Sequence, residues 1–289
     1  MTTTLTTSDS PTAPGAPDAA TTGVSIAAVR STATRSIGLA DTIRQSFSMG
    51  YRGLLKLRHN PEQLFDVTFM PILFTVMFTY IFGGAISGDV KNYLPVIIPG
   101  ILVQTVVMSS VVTGTQLRED MEKGVFDRFR SLPIARISPL AGALLADVIR
   151  YLIASVITFV VGIAMGWRPD AAGAVGSVLL ILVCAFAVSW IFALMGCLVK
   201  KSSAVQGISM MVIFPLTFAS NAFVPVDTMP GWLQAFVKVN PVSQLVSAVR
   251  ELCNSGHVGM HVVWSLLGAA VLVAVFAPLT VRAYIREAR

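Results

Sequence analysis

Residues 173–199, GAVGSVLLILVCAFAVSWIFALMGCLV, decide the fold. About 20 apolar residues in a helix cross a hydrocarbon layer about 30 Å thick, and this run exceeds that length without one charged side chain. Outward from it, comparable runs lie near 62–83, 94–116, 140–166, 204–223 and 261–284. Six such helices use about 120 residues, which leaves loops and a tail in a chain of 289 but no second large domain. Only 12% of the residues are charged and 54% are hydrophobic, against roughly 25% charged in an ordinary soluble domain. The predicted fold is an all-α polytopic membrane protein with six transmembrane helices.

Basic residues set the orientation, because cytoplasmic loops carry the excess of Lys and Arg. Alternate segments hold Arg30, Arg35, Arg44, Arg52, Lys56 and Arg58; then Arg118, Lys123, Arg128, Arg130 and Arg136; then Lys200 and Lys201; then Arg282, Arg286 and Arg289. These make sixteen, against four in the opposite set, Lys91, Arg168, Lys238 and Arg250. The expectation is a multi-pass protein of the cell membrane with both termini cytoplasmic. The net charge of +6 is spread among apolar segments rather than gathered into a patch, so no nucleic-acid partner is expected. Cys184 and Cys197 sit in an apolar run and Cys253 stands alone, which reads as buried, inert thiols rather than a disulfide framework.

Residues 1–38, rich in Thr, Ala, Ser and Pro, read as a disordered cytoplasmic tail without the apolar stretch of a signal peptide. Across 39–59, Ile43, Phe47, Tyr51, Leu54 and Leu55 recur at helical spacing with Arg44, Arg52, Lys56 and Arg58 mostly elsewhere on the wheel. That pattern predicts an amphipathic elbow helix at the membrane surface, either transmitting motion along it or anchoring the first span. The six-helix transmembrane domain is 60–289. Its first span opens on Asn60-Pro61 and carries Pro71, which predicts a kink.

The cytoplasmic connection 117–133, LREDMEKGVFDRFRSLP, stands apart from the others. Leu117, Met121, Val125, Phe126 and Phe129 form an apolar stripe, while Glu119, Asp120, Glu122 and Asp127 nearly balance Arg118, Lys123, Arg128 and Arg130. A helix serving only to hold anionic lipid gains about 1 kcal/mol per Lys or Arg and is mainly basic. Balanced charge beside Met and Phe suits a protein partner; a solvated, salt-bridged loop gives the same charge pattern.

The run EKGVFDRFRSLPIAR, followed by LAGALLADVIR, resembles the coupling helix and following span of type-two ABC exporter permeases, in particular their daunorubicin-resistance branch. A second similarity is VPVDTMPGWLQAFVKVNPVSQLVSAVREL, which resembles that family's short extracellular helices with an Asn-Pro…Arg signature. The resemblance implies a subunit that forms half of a transmembrane pathway and docks a cytoplasmic ABC ATPase, two copies per transporter, through 117–133. On that carry-over the coupling residues are Leu117, Met121, Glu122, Gly124, Phe126, Asp127, Arg128, Phe129, Arg130, Leu132 and Pro133. The second permease half is another copy of this chain or a different one. No G-x-x-x-x-G-K-[ST] phosphate loop occurs, so no cofactor is expected in this chain; ATP and magnesium belong to the partner ATPase. Lipid is the remaining partner.

Three further groups bear on mechanism. Asp147 and Arg150, three apart in the third span, are placed to pair. Counting back from Trp167 as an outer-interface anchor puts them near the cytoplasmic surface, where snorkelling or bracing of the coupling helix outweighs a proton relay. Pro230 and Pro241 each predict the start of a short helix, with Trp232, Phe236, Val237, Leu245, Val246 and Val249 at helical intervals. Those helices are expected at the outer membrane face, capping an exit. Gln104, Met108, Met210, Met211, Phe214 and Asn221 are candidates for the lining of a route, Met being adaptable to varied ligands; such residues also serve to pack helices.

The function this supports is export of a small amphipathic or hydrophobic compound, an antibiotic, drug or lipid. An ion-gradient-driven secondary transporter is the alternative, but Asp66, Asp147 and Asp227 read as near the interfaces or outside, and no repeated halves are visible. His59, His257 and His261 are scattered, and neither H-E-x-x-H nor G-x-S-x-G occurs, so an embedded enzyme is disfavoured.

Overall fold

The computed structural model describes residue 50 and residues 61–124 and 138–287. The expected tail and elbow helix, and residues 125–133 of the coupling segment, lie outside the described residues. Within them the regular elements are α1 (Pro61–Ser87), α2 (Val90–Glu122), α3 (Ser138–Ala164), α4 (Ala171–Leu198), α5 (Ser202–Phe218), a 3-10 turn (Val226–Thr228), α6 (Gly231–Val239), α7 (Pro241–Ser255) and α8 (Met260–Glu287). No strand occurs among the described residues. The chain is an all-helical, multi-pass membrane protein. α2, α3, α4 and α8 are long and apolar enough to cross a bilayer, while α1 and α5 carry shorter apolar stretches, Thr68–Gly84 and Ser202–Phe218.

α2 is the interior helix, with 72% of its apolar window buried against 17% for α8 at the periphery. It packs on α1, α3, α4, α5 and α7. Small residues allow its closest approach to α4: a Cβ on Gly114 would stand 2.3 Å from the Phe192 carbonyl oxygen, and one on Gly196 2.5 Å from that of Gly114. Close backbone approach through Gly is how helices gain contact where lipid supplies no hydrophobic drive.

Two prolines shape the other end of α2. Pro99 has no N–H, so the Pro95 carbonyl four residues back has no helical partner. Asn254 Nδ2 donates to it instead, at 3.0 Å. Arg250 Nη2 donates to the carbonyls of Val96 and Asn221, both at 2.9 Å, and the Tyr93 hydroxyl donates to the Phe223 carbonyl at 2.6 Å. Burial pulls the Arg250 guanidinium down to about 10, offset in part by Tyr93, so it stays charged at neutral pH.

α6 and α7 begin at the predicted prolines: Pro230 precedes α6 and Pro241 is the first residue of α7. Asn240 caps α7, accepting the Val242 N–H at 2.9 Å, while its Nδ2 donates to the Leu216 and Ala219 carbonyls at the end of α5, at 2.7 and 3.3 Å. One side chain thus satisfies orphan groups of two helix ends. The Asn240→Ala variant is expected to lower stability by about 1–2 kcal/mol, read as a depressed midpoint of thermal unfolding in detergent; an unchanged midpoint would remove this latch from the account.

α7 packs into the bundle. Leu245, Val246, Val249, Leu252 and Cys253 belong to the main apolar cluster, and the helix packs on α2, α4 and α8. Its stripe faces protein and is part of the core, whereas Trp232 and Phe236 of α6 are exposed. α5 also ends at Phe218, short of the predicted 223, where the Asn240 amide takes up its last carbonyls. Cys184, Cys197 and Cys253 are free and buried as expected; burial pushes the Cys253 thiol up to about 11.

Candidate functional site

α2 does not end where its apolar run ends. It continues to Glu122, and Lys123 and Gly124, the latter at φ 65°, form the turn that stops it. Ion pairs one turn apart, Arg118 with Glu122 at 3.6 Å and Lys123 with Glu119 at 3.4 Å, carry the helix past the last apolar residues. Glycine in the left-handed region is the usual stop. Of the expected coupling helix 117–133, Leu117, Met121 and Glu122 lie in the last turns of α2, and Gly124 lies in the turn that ends it. Phe126, Asp127, Arg128, Phe129, Arg130, Leu132 and Pro133 lie outside the described residues.

This end of α2 rests on its own apolar cluster. Leu117 packs with Leu140 and Leu144 of α3, Ala193 and Cys197 of α4 and Tyr284 of α8, with Met121 against them. The polar contacts converge there too. Glu122 Oε1 accepts the Ser202 N–H of α5 at 2.8 Å, and Arg118 Nη1 lies 3.4 Å from Glu287 Oε1 of α8. The last turns of α2 are thereby tied to α3, α4, α5 and α8.

Asp147 and Arg150 do pair, Nη2 to Oδ1 at 2.5 Å, with both side chains 5% exposed. Thr113 of α2 donates to Asp147 Oδ2, and Arg150 Nη2 also donates to the Ser109 carbonyl of α2 at 3.2 Å. Tyr151 continues the network to Ser189 of α4 at 2.7 Å. Ser189 donates to Ala185 at 2.8 Å, so the Tyr151 hydroxyl is the donor between them. The snorkelling expectation is corrected: Arg150 turns inward to α2. Trp167, its reference point, is buried and stacked on Phe159 at 5.5 Å. At 1.5 Å per residue, Asp147 stands about 14 Å along α3 from Ser138. Thr113, Tyr151 and Ser189 carry no signal in the sequence, being ordinary residues of three different helices.

The six candidate lining residues separate into two groups. Gln104 and Asn221 are buried, each with a carbonyl oxygen lacking a hydrogen bond, and Asn221 Nδ2 donates to Ser247 Oγ at 2.8 Å. Met108 is partly buried on the main cluster. Met210, Met211 and Phe214 lie on the exposed face of α5. Phe214 begins an aromatic ladder that the sequence reading missed: it stacks on Phe218 at 4.2 Å, Phe218 on Phe223 at 5.3 Å, and Phe223 on Phe78 of α1 at 4.6 Å.

The chain is similar to known transport proteins over most of this architecture. The daunorubicin resistance ABC transporter permease protein DrrB1 of Streptomyces coeruleorubidus is 47% identical over 236 residues, 81% of this chain and 83% of that protein. A probable doxorubicin resistance ABC transporter permease protein, DrrC of Mycobacterium tuberculosis, is 26% identical over 72% of this chain and 76% of its own length. The putative transport permease ycf38 of Cyanophora paradoxa is 26% identical over 73% and 74%. Residues 44–253, which hold α1 to α6 and all but the last two residues of α7, match the ABC-2 type transporter family, and the chain belongs to that family.

Proposed function

We propose that this chain is the permease subunit of an ATP-driven exporter that moves a small amphipathic or hydrophobic compound, an antibiotic, drug or lipid, out across the cell membrane. It crosses the membrane six times with both termini in the cytoplasm, α1 and α5 completing the four longer spans. It pairs with a second permease half, a copy of itself or a related chain, and with two copies of a cytoplasmic ABC ATPase that bind ATP with magnesium. ATP binding draws the cytoplasmic halves of the two permeases together, and hydrolysis resets them.

The observation that carries this reading is the base of α2. A helix bearing alternating charge leads directly into the connection 123–137, and its last turns are packed and ion-paired to the ends of α3, α4, α5 and α8. A force applied to that connection acts on most of the bundle at once. The names of the relatives point to daunorubicin and doxorubicin as compounds to try first. An ion-gradient mechanism finds less support, because the buried carboxylate of Asp147 is already neutralised by Arg150.

Inverted membrane vesicles holding this chain with a co-expressed ABC ATPase test the reading. Daunorubicin uptake is expected to require ATP and to survive collapse of the proton gradient. Uptake that persists without ATP and stops when the gradient is collapsed would replace this reading with the secondary-transporter one.

A further inference from the structure

One carboxylate at the base of the bundle joins elements far apart in the chain. The first N–H groups of a helix have no partner within it, and Lys201, which caps α5, makes no side-chain bond there. The acceptor comes from α2: Glu122 Oε1 takes the N–H of Ser202, the first residue of α5, at 2.8 Å. A negative charge at that position also complements the helix dipole. Arg118 lies 3.6 Å from the same oxygen and 3.4 Å from Glu287 of α8, holding the carboxylate from behind. Glu122 is the last helical residue before the Lys123-Gly124 turn that opens the connection.

α5 is suited to being moved from this point. It packs chiefly on α2, and the face bearing Met211 and Phe214 is exposed. Its far end is held by the Asn240 amide. A helix whose far end is fixed and whose first N–H is held by a carboxylate of α2 turns about its fixed end when that carboxylate shifts. We propose that Glu122 is a positioning residue that passes displacement of the connection 123–137 to α5, and so to Met210, Met211 and Phe214. This rests on the reading that the connection docks an ATPase.

Two variants break the contact from opposite sides. Glu122→Ala removes the acceptor. Ser202→Pro removes the N–H donor, and the serine hydroxyl with it, at a site that accepts the ring, since proline suits the first position of a helix and Lys201 is already extended at φ −128°, ψ 135°, as a residue before proline must be. Glu122→Gln keeps an acceptor for Ser202 and loses the charge. With the ATPase co-purified and reconstituted, the readout is daunorubicin transported per ATP hydrolysed. Glu122→Ala and Ser202→Pro are each expected to lower it roughly tenfold or more, the factor carried by a lost charge-assisted hydrogen bond. The double variant should be no worse than either single one, Glu122→Gln should recover much of the loss, and Ser202→Pro should retain the ATPase.

Wild-type ratios in both single variants would overturn the proposal. So would loss of the ATPase from Ser202→Pro, which would make this a docking contact rather than a transmitting one. A wild-type chain that neither retains an ATPase nor transports would overturn the parent reading and this one together, and is told apart because the failure precedes any substitution. If Glu122→Ala does not fold, Ser202→Pro and Glu122→Gln decide the matter.

Discussion

Asp147→Leu and Arg150→Met, made singly, are each expected to destabilise the protein by about 3–5 kcal/mol, because each leaves a buried charge without its counter-ion. Both side chains are 5% exposed, so neither can reach water when its partner is removed. The pair itself is a different matter. Desolvation offsets much of its attraction, so an apolar pair of similar volume is tolerated, and Asp147→Leu with Arg150→Met in one chain is expected to recover most of the stability lost by either single variant. Thermal unfolding in detergent checks this as a double-mutant cycle. Additive losses in the double variant would mean that the two charges do not compensate each other.

The Gly114→Ala variant is the second large effect. A single methyl group there would lie 2.3 Å from the Phe192 carbonyl oxygen and 2.8 Å from its carbon. Backbone atoms cannot rotate out of the way as a side-chain tip can, so α2 and α4 must separate. The expected loss is at or above the upper end of the ~1–3 kcal/mol typical of overpacking, because α2 is the helix on which five others pack. Gly268→Ala in α8, where nothing stands within 4 Å of the new methyl group, is the matched control and should be neutral or slightly stabilising. Yield of monodisperse protein and its thermal midpoint separate the two; equal behaviour would contradict the close α2–α4 crossing.

Much of the helical layout is legible in the residues themselves. The run 173–199 became Ala171–Leu198, and Pro230 and Pro241 stand at the starts of α6 and α7. Apolar run length and proline placement act locally, so these features can be read locally. What each face meets cannot. α4 is apolar all round, and nothing in its periodicity says that Gly196 faces α2 while Val183 faces outward. The stripe of α7 was visible, yet a stripe fits a membrane surface and a protein core equally well, and only contact with α2, α4 and α8 distinguishes them. The spacing of Asp147 and Arg150 predicted their pairing; Thr113 and Ser109, which turn the pair inward, come from another helix. The burial of Trp167 was hidden for the same reason, since tryptophan favours both interfaces and cores. The junction at Glu122 was hidden because its partner is a backbone N–H eighty residues away, and a backbone group leaves no mark in a sequence.

Under the proposed function, the connection after Gly124, with Phe126 and Phe129 in its sequence, docks an ATPase and the base of α2 distributes the force. Co-purification of a co-expressed ABC ATPase with wild-type chain and with the Phe126→Asp, Phe129→Asp variant tests that most directly. The account predicts that the wild type retains the ATPase, and that the double variant loses it while reaching the membrane in the same amount and unfolding at the same temperature. Equal recovery of the ATPase with both proteins would contradict it.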